Sequence, residues 1–158
     1  MLDAGEIGSN VVLVRRTRRL AVSILVALCG IAIAAGSRLS WVRSHGSRPS
    51  AGINDTAVTG LLHWTYEPCN TYFNSFGFVV IVCGALVFIG GVAASRGLAG
   101  LFSFITLVAA GLWIGLYASH YSSVNLSYSD FRLGALLVVA GGVVGLISSM
   151  FLRGRRAL

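Results

Sequence analysis

The side chains that could do chemistry are few, and most of them lie between apolar segments. His63, Glu67, His120, Asp130 and Arg132 could converge at one end of a helical bundle, where imidazole and carboxylate groups bind metals or exchange protons. Their spacing matches no metal motif, because His63 and Glu67 share a face only if their segment is helical. We interpret them as hydrogen-bonding and ion-pairing groups, and we expect no enzyme activity, catalytic site, metal or cofactor.

The three cysteines are isolated from one another in sequence. A four-span thiol oxidase needs a Cys-X-X-Cys pair, which Cys29, Cys69 and Cys83 do not form. We interpret Cys29 and Cys83 as small apolar residues inside helices, whereas Cys69 follows Pro68 in a loop and is either free or paired with a partner. No apolar segment contains the ionisable residue that proton-coupled exporters use.

Four apolar segments explain this scarcity of polar groups. Of the 158 residues, 56% are hydrophobic and only 11% are charged, and each segment is long enough for a hydrocarbon core of about 30 Å. The sequence predicts an all-α membrane protein, a single domain over residues 1–158 folded as a four-transmembrane-helix bundle after a short tail of 14 residues. The predicted spans are residues 20–37, 73–94, 98–118 and 131–152.

The polar segment at residues 38–72 is too polar to cross, and we predict a long, partly structured first extracytoplasmic loop there. Within it, residues 56–66 are rich in β-branched and aromatic side chains, which favours a strand or a short interfacial helix. If the N-terminus is inside, eight of the twelve arginines lie on the cytoplasmic side and four on the outer side. This distribution predicts that both termini are cytoplasmic. The use of arginine with no lysine indicates a GC-rich bacterial genome, so we expect a bacterial inner-membrane protein.

The net charge of +7 could also indicate a nucleic-acid partner. All twelve basic residues are arginines beside apolar segments, where they orient spans and contact anionic lipid headgroups. We therefore expect membrane lipids as partners and no nucleic acid.

Glycines recur at helical spacing in the later spans, and small residues let helix backbones approach in lipid. Gly77, Gly84 and Gly91 repeat every seven residues, and Gly111 and Gly115 are four residues apart. We predict that these five glycines pack the bundle.

The fourth span carries the widest series of small residues. Gly141, Gly145 and Ser149 repeat every four residues, and Gly134 extends the series toward the start of the span. We predict that these four residues dock a partner protein, together with Trp64 and Tyr66 of the outer loop, although packing within the bundle remains the alternative.

The layout as a whole resembles small four-span actinobacterial membrane proteins, and in particular the lipid-uptake-coordinator accessory subunits of mycobacterial Mce lipid importers. The resemblance lies in the arginine cluster at residues 15–19, the loop GLLHWTYEPCN at residues 60–70 and the glycine-rich later spans. It implies a non-enzymatic accessory or regulatory subunit that binds the permease of an ATP-driven lipid transporter.

The loop also resembles the claudin pattern, in which Gly-Leu-Trp precedes two cysteines. Here Gly-Leu-Leu-His-Trp at residues 60–64 precedes Cys69, and the second loop cysteine is missing. This resemblance implies the alternative of a self-associating tetraspan scaffold or pore, which would be a homo-oligomer.

Overall fold

The computed structural model describes residues 4–44, 50–69, 71–121 and 128–152, and this part of the chain is mostly helical. The four α-helices are α1 (Ala4–Gly36), α2 (Phe76–Val92), α3 (Arg96–His120) and α4 (Leu133–Phe151). The segment predicted as a short tail is helical from Ala4 onward, because α1 begins there, and the candidate span within α1 starts at Arg19. No proline interrupts the sequence between Ala4 and the arginine cluster.

Three helices are long and apolar enough to cross a membrane. They are the Arg19–Gly36 part of α1, all of α3 and all of α4, whereas α2 is apolar but only 17 residues long. At 1.5 Å per residue α2 is about 25 Å long, slightly less than a typical hydrocarbon core. The prediction of long apolar helices is therefore confirmed for these three segments.

The helices pack in a ring, in which α1 contacts α2 and α4, and α3 contacts the same two helices. Where α1 and α2 cross, a Cβ atom on Gly30 would lie 2.6 Å from the carbonyl oxygen of Gly84, so the two backbones touch. Valine and isoleucine side chains contribute to the rest of the interior, including the fully buried Ile33, Val87 and Val138. Dispersion contacts between such close surfaces stabilise helix pairs in lipid.

A tight link at residues 93–95 joins α2 to α3. Ala94 adopts a left-handed conformation with φ 51°, and the Ser95 N–H donates to the Gly90 carbonyl oxygen at 2.8 Å. This bond closes the C-terminus of α2 and reverses the chain, so that α2 and α3 form an antiparallel hairpin.

The segments beyond the other ends of these helices form a cap, which we define as residues 38–44, 50–69, 71–75 and 128–132. Strand β1 (Ser40–Val42) pairs antiparallel with β2 (Ala51–Gly52), so the described chain is not strictly all-α. Val42 also bridges to Phe131, and the Arg132 N–H donates to the Trp41 carbonyl oxygen at 2.8 Å. The cap thus connects the end of α1 directly to the start of α4.

Four short 3₁₀ helices complete the cap. They are Ile53–Asp55, Val58–Leu62, Tyr72–Asn74 and Tyr128–Asp130. The second lies within residues 56–66, so of the two structures predicted for that segment the short helix is the one that forms. Ser75 then starts α2 as its N-cap, because its hydroxyl accepts from the Phe78 N–H at 3.0 Å.

Candidate docking surface

A buried hydrogen bond holds the cap against the bundle. The Trp113 indole of α3 donates to the Thr56 hydroxyl of the cap at 2.8 Å, and both side chains are fully buried. Trp41 packs edge-on against Trp113 with ring centres 5.1 Å apart, and its own indole donates to the Gly36 carbonyl oxygen at 3.1 Å. Both indole N–H groups are thus satisfied, which removes the main cost of burying tryptophan.

Four rings continue outward from this contact as an aromatic cluster, defined as Tyr66, Tyr117, His120 and Tyr121. Tyr66 stacks on His120 with ring centres 5.3 Å apart and meets Tyr117 edge-on at 5.7 Å. Burial raises the pKa of the Tyr66 phenol, and this effect exceeds the opposing effect of a hydrogen bond with Thr56. Tyr66 is therefore neutral at physiological pH and anchors the cap rather than presenting a charge to a partner.

Trp113 connects this cluster to the core, and our interpretation of the sequence did not include it. A signal was available, because Trp113, Tyr117 and Tyr121 are four residues apart and therefore share one face of α3. The stacked rings of Trp113 and Tyr117 have centres 5.3 Å apart.

Trp64 stands next to this cluster in an unusual backbone conformation. Its φ is 51°, a left-handed value that costs a residue other than glycine about 1 kcal/mol, yet the side chain is 52% exposed. The turn is held by the Thr65 N–H, which donates to the Gly60 carbonyl oxygen at 2.9 Å. A Cβ atom on Gly115 would lie 3.7 Å from the Trp64 ring, so the exposed indole lies over the outer end of α3.

Below Trp64, α3 presents an exposed apolar row that we name the α3 outer face. It consists of the exposed residues Leu101, Phe104, Val108 and Gly111 and the partly exposed Gly115. The intervals of three and four residues alternate as in the seam of a coiled coil, so all five residues share one side of the helix. The first three provide protruding side chains, and the two glycines leave a notch.

The small residues of α4 lie inside the bundle. A Cβ atom would lie 2.8 Å from the Ser40 carbonyl oxygen at Gly134, 3.2 Å from the Cys29 carbonyl oxygen at Gly141 and 2.7 Å from the Ser103 hydroxyl at Gly145. Ser149 is also buried. The prediction that Gly134, Gly141, Gly145 and Ser149 dock a partner is therefore wrong, because α1, α3 and the cap already cover them.

The glycines assigned to bundle packing divide into two groups. Gly77 lies against the Asn54 side chain, and Cβ atoms on Gly84 and Gly91 would lie 2.8 Å from the Gly30 carbonyl oxygen and 2.6 Å from the Ala27 nitrogen. On α3, by contrast, a Cβ atom on Gly111 would have no neighbour within 4 Å, and one on Gly115 would meet only Trp64. The bundle-packing prediction is wrong for Gly111 and Gly115, which face away from the other helices.

The polar residues considered for chemistry serve separate local contacts. Glu67 accepts from the Thr65 hydroxyl at 3.1 Å, and Arg132 donates to the Ser40 hydroxyl at 3.2 Å. His120 stacks on Tyr66 in the aromatic cluster. Within the described ranges, no group of three His, Cys, Asp or Glu side chains could hold a metal ion.

We compared the chain with known protein families, curated proteins and solved structures. No protein-family model, no curated protein and no solved structure matches the chain.

Proposed function

We propose that the chain is an integral protein of the bacterial inner membrane that crosses it four times with both termini in the cytoplasm. Three helices are apolar candidate spans, and the link at residues 93–95 makes α2 antiparallel to α3. Because α1 ends at the cap and α3 starts at the opposite end of the bundle, α2 has to return across the same layer. The eight-to-four distribution of arginines favours the cap on the outer side.

The role we propose is that of a non-enzymatic accessory or regulatory subunit of a larger membrane complex, specifically an ATP-driven lipid transporter of the Mce type. The subunit docks a transmembrane helix of the permease against the α3 outer face, with Trp64 covering the outer end of the contact. The resemblance in layout supports an Mce-type transporter as the complex. The α3 outer face supports a helix of the permease as the part that is contacted.

Gly111 is the observation that carries the docking proposal. A glycine inside a helix costs about 1 kcal/mol relative to alanine, so it needs a compensating reason. Among the helical glycines for which contacts are described, only Gly97 and Gly111 have open space where a Cβ would lie, and Gly97 is in the first turn of α3. Lipid chains conform to any shape, whereas a second helix approaches closely only where side chains are small.

The side chains around Gly111 fit a helix rather than a loop or a soluble domain. Val108 and Phe104 are exposed about one and two turns before the glycine, and they belong to an α3 face without charged residues. An apolar partner helix lying along this row would insert its own side chain at Gly111 and receive Phe104 between its side chains.

A second candidate function is a self-associating tetraspan scaffold or pore, as the claudin-like layout implies. The alternation of intervals along the α3 outer face favours it, because two copies of such a row can pack against each other about a two-fold axis. The two candidates use the same face and differ in the chain that covers it.

Gentle detergent extraction of the tagged protein from its own organism, followed by mass spectrometry, distinguishes the candidates. For the accessory subunit we expect permease, ATPase and substrate-binding subunits in fixed ratio to the bait. Gly111→Leu fills the notch with a branched side chain, and we expect it to reduce the permease recovered at least tenfold. Gly97→Leu, also in open space on α3, is the matched control and retains wild-type recovery.

Wild-type recovery of the permease with Gly111→Leu would remove the α3 outer face from consideration. Recovery of this chain alone at an oligomeric mass, dissociated by Gly111→Leu, would replace the accessory role by the scaffold.

A further inference from the structure

A polar cleft opens in the cap beside the outer end of α1. Its volume is about 190 Å³, and its lining residues include Arg38, Ser40, Ser50, Asn54 and Asp55. At about 30 Å³ per water molecule, this space corresponds to about six waters. The cleft is thus large enough for a small polar group and far too small for a whole lipid.

The cleft lies where two candidate spans end. Gly36 closes α1 and Gly134 lies in the first turn of α4, and a Cβ atom on Gly36 would lie 2.9 Å from the Gly134 carbonyl oxygen. Arg38 follows this crossing by two residues, and Arg132 immediately precedes α4. Side chains at such positions reach the headgroup layer, where phosphate groups are concentrated.

The two arginines are placed on the same side of the crossing. Arg132 donates to the hydroxyl of Ser40, a cleft residue, at 3.2 Å. The Arg38 guanidinium carbon lies 4.9 Å from the centre of the Tyr72 ring, a cation–π contact that uses no N–H group of the arginine. Guanidinium groups therefore retain donors in the fork geometry that matches a phosphate.

The cleft also contains Asp55, whose negative charge would repel a ligand that is only an anion. The Asp55 carboxylate accepts from the Gly52 N–H at 2.6 Å, and a carboxylate has capacity for further donors. A phosphate beside arginine and an ammonium beside aspartate are the two charges of one zwitterionic headgroup.

We propose that the cleft binds the phosphoethanolamine headgroup of a membrane phospholipid, with the phosphate on Arg38 and Arg132 and the ammonium on Asp55. The lipid's acyl chains start at Leu39, which lines the cleft and is partly exposed, and enter the bilayer beside the exposed Leu133. The proposal goes beyond the docking role and does not depend on the α3 outer face.

Native mass spectrometry of the full-length chain in detergent tests the proposal, with dioleoyl phosphatidylethanolamine, phosphatidylglycerol and phosphatidylcholine added at equal concentration. We expect at least fivefold more phosphatidylethanolamine than either of the others on the wild type, because a trimethylated amine cannot donate to Asp55. We expect Arg38→Gln combined with Arg132→Gln to reduce retention to background. The control is Arg96→Gln, which changes an exposed arginine at the opposite end of the bundle.

Asp55→Asn tests the ammonium contact separately from the phosphate contact, because the amide has no charge but keeps an oxygen for the Gly52 N–H. We expect it to lower phosphatidylethanolamine retention to the level of phosphatidylglycerol without lowering the latter. Equal retention of all three lipids by the wild type would overturn the proposal, and so would wild-type retention by the double arginine variant with its circular dichroism unchanged. Preference for phosphatidylglycerol would replace the zwitterionic site by an anionic one. Because these variants leave α3 intact, we expect them to retain wild-type recovery of the permease. The result of the lipid test is therefore independent of the docking proposal.

Discussion

At the scale of single residues, Trp113 is the side chain through which the cap and the bundle stabilise each other. It links Thr56, which is 57 residues away in sequence, to a helix that could cross the membrane. Because both partners are fully buried, water cannot replace either one when the other is removed. The pair therefore contributes to stability without taking part in docking.

We expect Trp113→Phe to lower the free energy of unfolding by about 2–4 kcal/mol, because ring volume is lost and the buried Thr56 hydroxyl loses its indole donor. Thr56→Val removes the hydroxyl and keeps the shape. Thermal unfolding in detergent measures both variants and the double variant. The hydrogen bond predicts that the double variant loses about 1 kcal/mol less than the sum of the single variants, and strict additivity would contradict it.

The same pair shows what could be read from sequence at this scale. The four-residue spacing of Trp113, Tyr117 and Tyr121 places them on one face, but spacing within one helix does not specify a partner in a loop. Thr56 carries no local signal, because its role depends on a contact across 57 residues.

At the scale of elements, the glycines of α1 and α3 have opposite surroundings. A Cβ atom on Gly30 would lie 2.5 Å from the Phe88 nitrogen of α2, whereas one on Gly111 would meet no atom within 4 Å. Substitution by alanine therefore tests the contact between α1 and α2 at Gly30, and it tests helix propensity alone at Gly111.

We expect Gly30→Ala to destabilise the isolated protein by about 1–3 kcal/mol, because α1 and α2 have to separate. Gly111→Ala is the matched control, and we expect it to raise stability by up to about 1 kcal/mol through helix propensity. Thermal unfolding in detergent compares the two. Equal effects of the two substitutions would show that α1 and α2 do not touch at Gly30.

Helix positions were more predictable than helix faces. The ends of α3 and α4 lie within two residues of the predicted spans, because apolar length and flanking polar residues determine them. The repeat of Gly141 and Gly145 showed correctly that they share a face. It did not show whether that face meets another helix of the chain, because lipid and a neighbouring helix select equally apolar side chains.

The cap was predictable only as a structured segment. Its strands have three and two residues, and β1 has its second partner at Phe131, far along the chain. Alternation patterns need about four residues to be recognised, so neither strand could be assigned from the sequence.

At the scale of the whole molecule, the orientation in the membrane can be measured with the native thiols. Cys69 lies in the cap and is partly exposed, with its Sγ donating to the Thr71 carbonyl oxygen at 2.8 Å. Cys29 and Cys83 are buried among the helices. One residue therefore reports on the side of the membrane where the cap lies.

We expect a membrane-impermeant maleimide to modify one thiol per chain in intact cells, and all three after denaturation. Cys69→Ser is the control that abolishes labelling in intact cells. Protection of Cys69 from the impermeant reagent, combined with modification by a permeant one, would place the cap in the cytoplasm and reverse the proposed topology.

The pairing of β1 with residues 130–132 also sets an order of events during biosynthesis. The Arg43 N–H donates to the Asp130 carbonyl oxygen at 2.9 Å, so this edge of the cap has no partner until residues 130–132 have been translated. A ribosome-bound chain that ends before residue 130 carries an unfinished sheet edge, which quality-control proteases and chaperones can recognise. Completion of the cap thus immediately precedes synthesis of the last helix, and resistance to proteolysis would mark a fully synthesised chain.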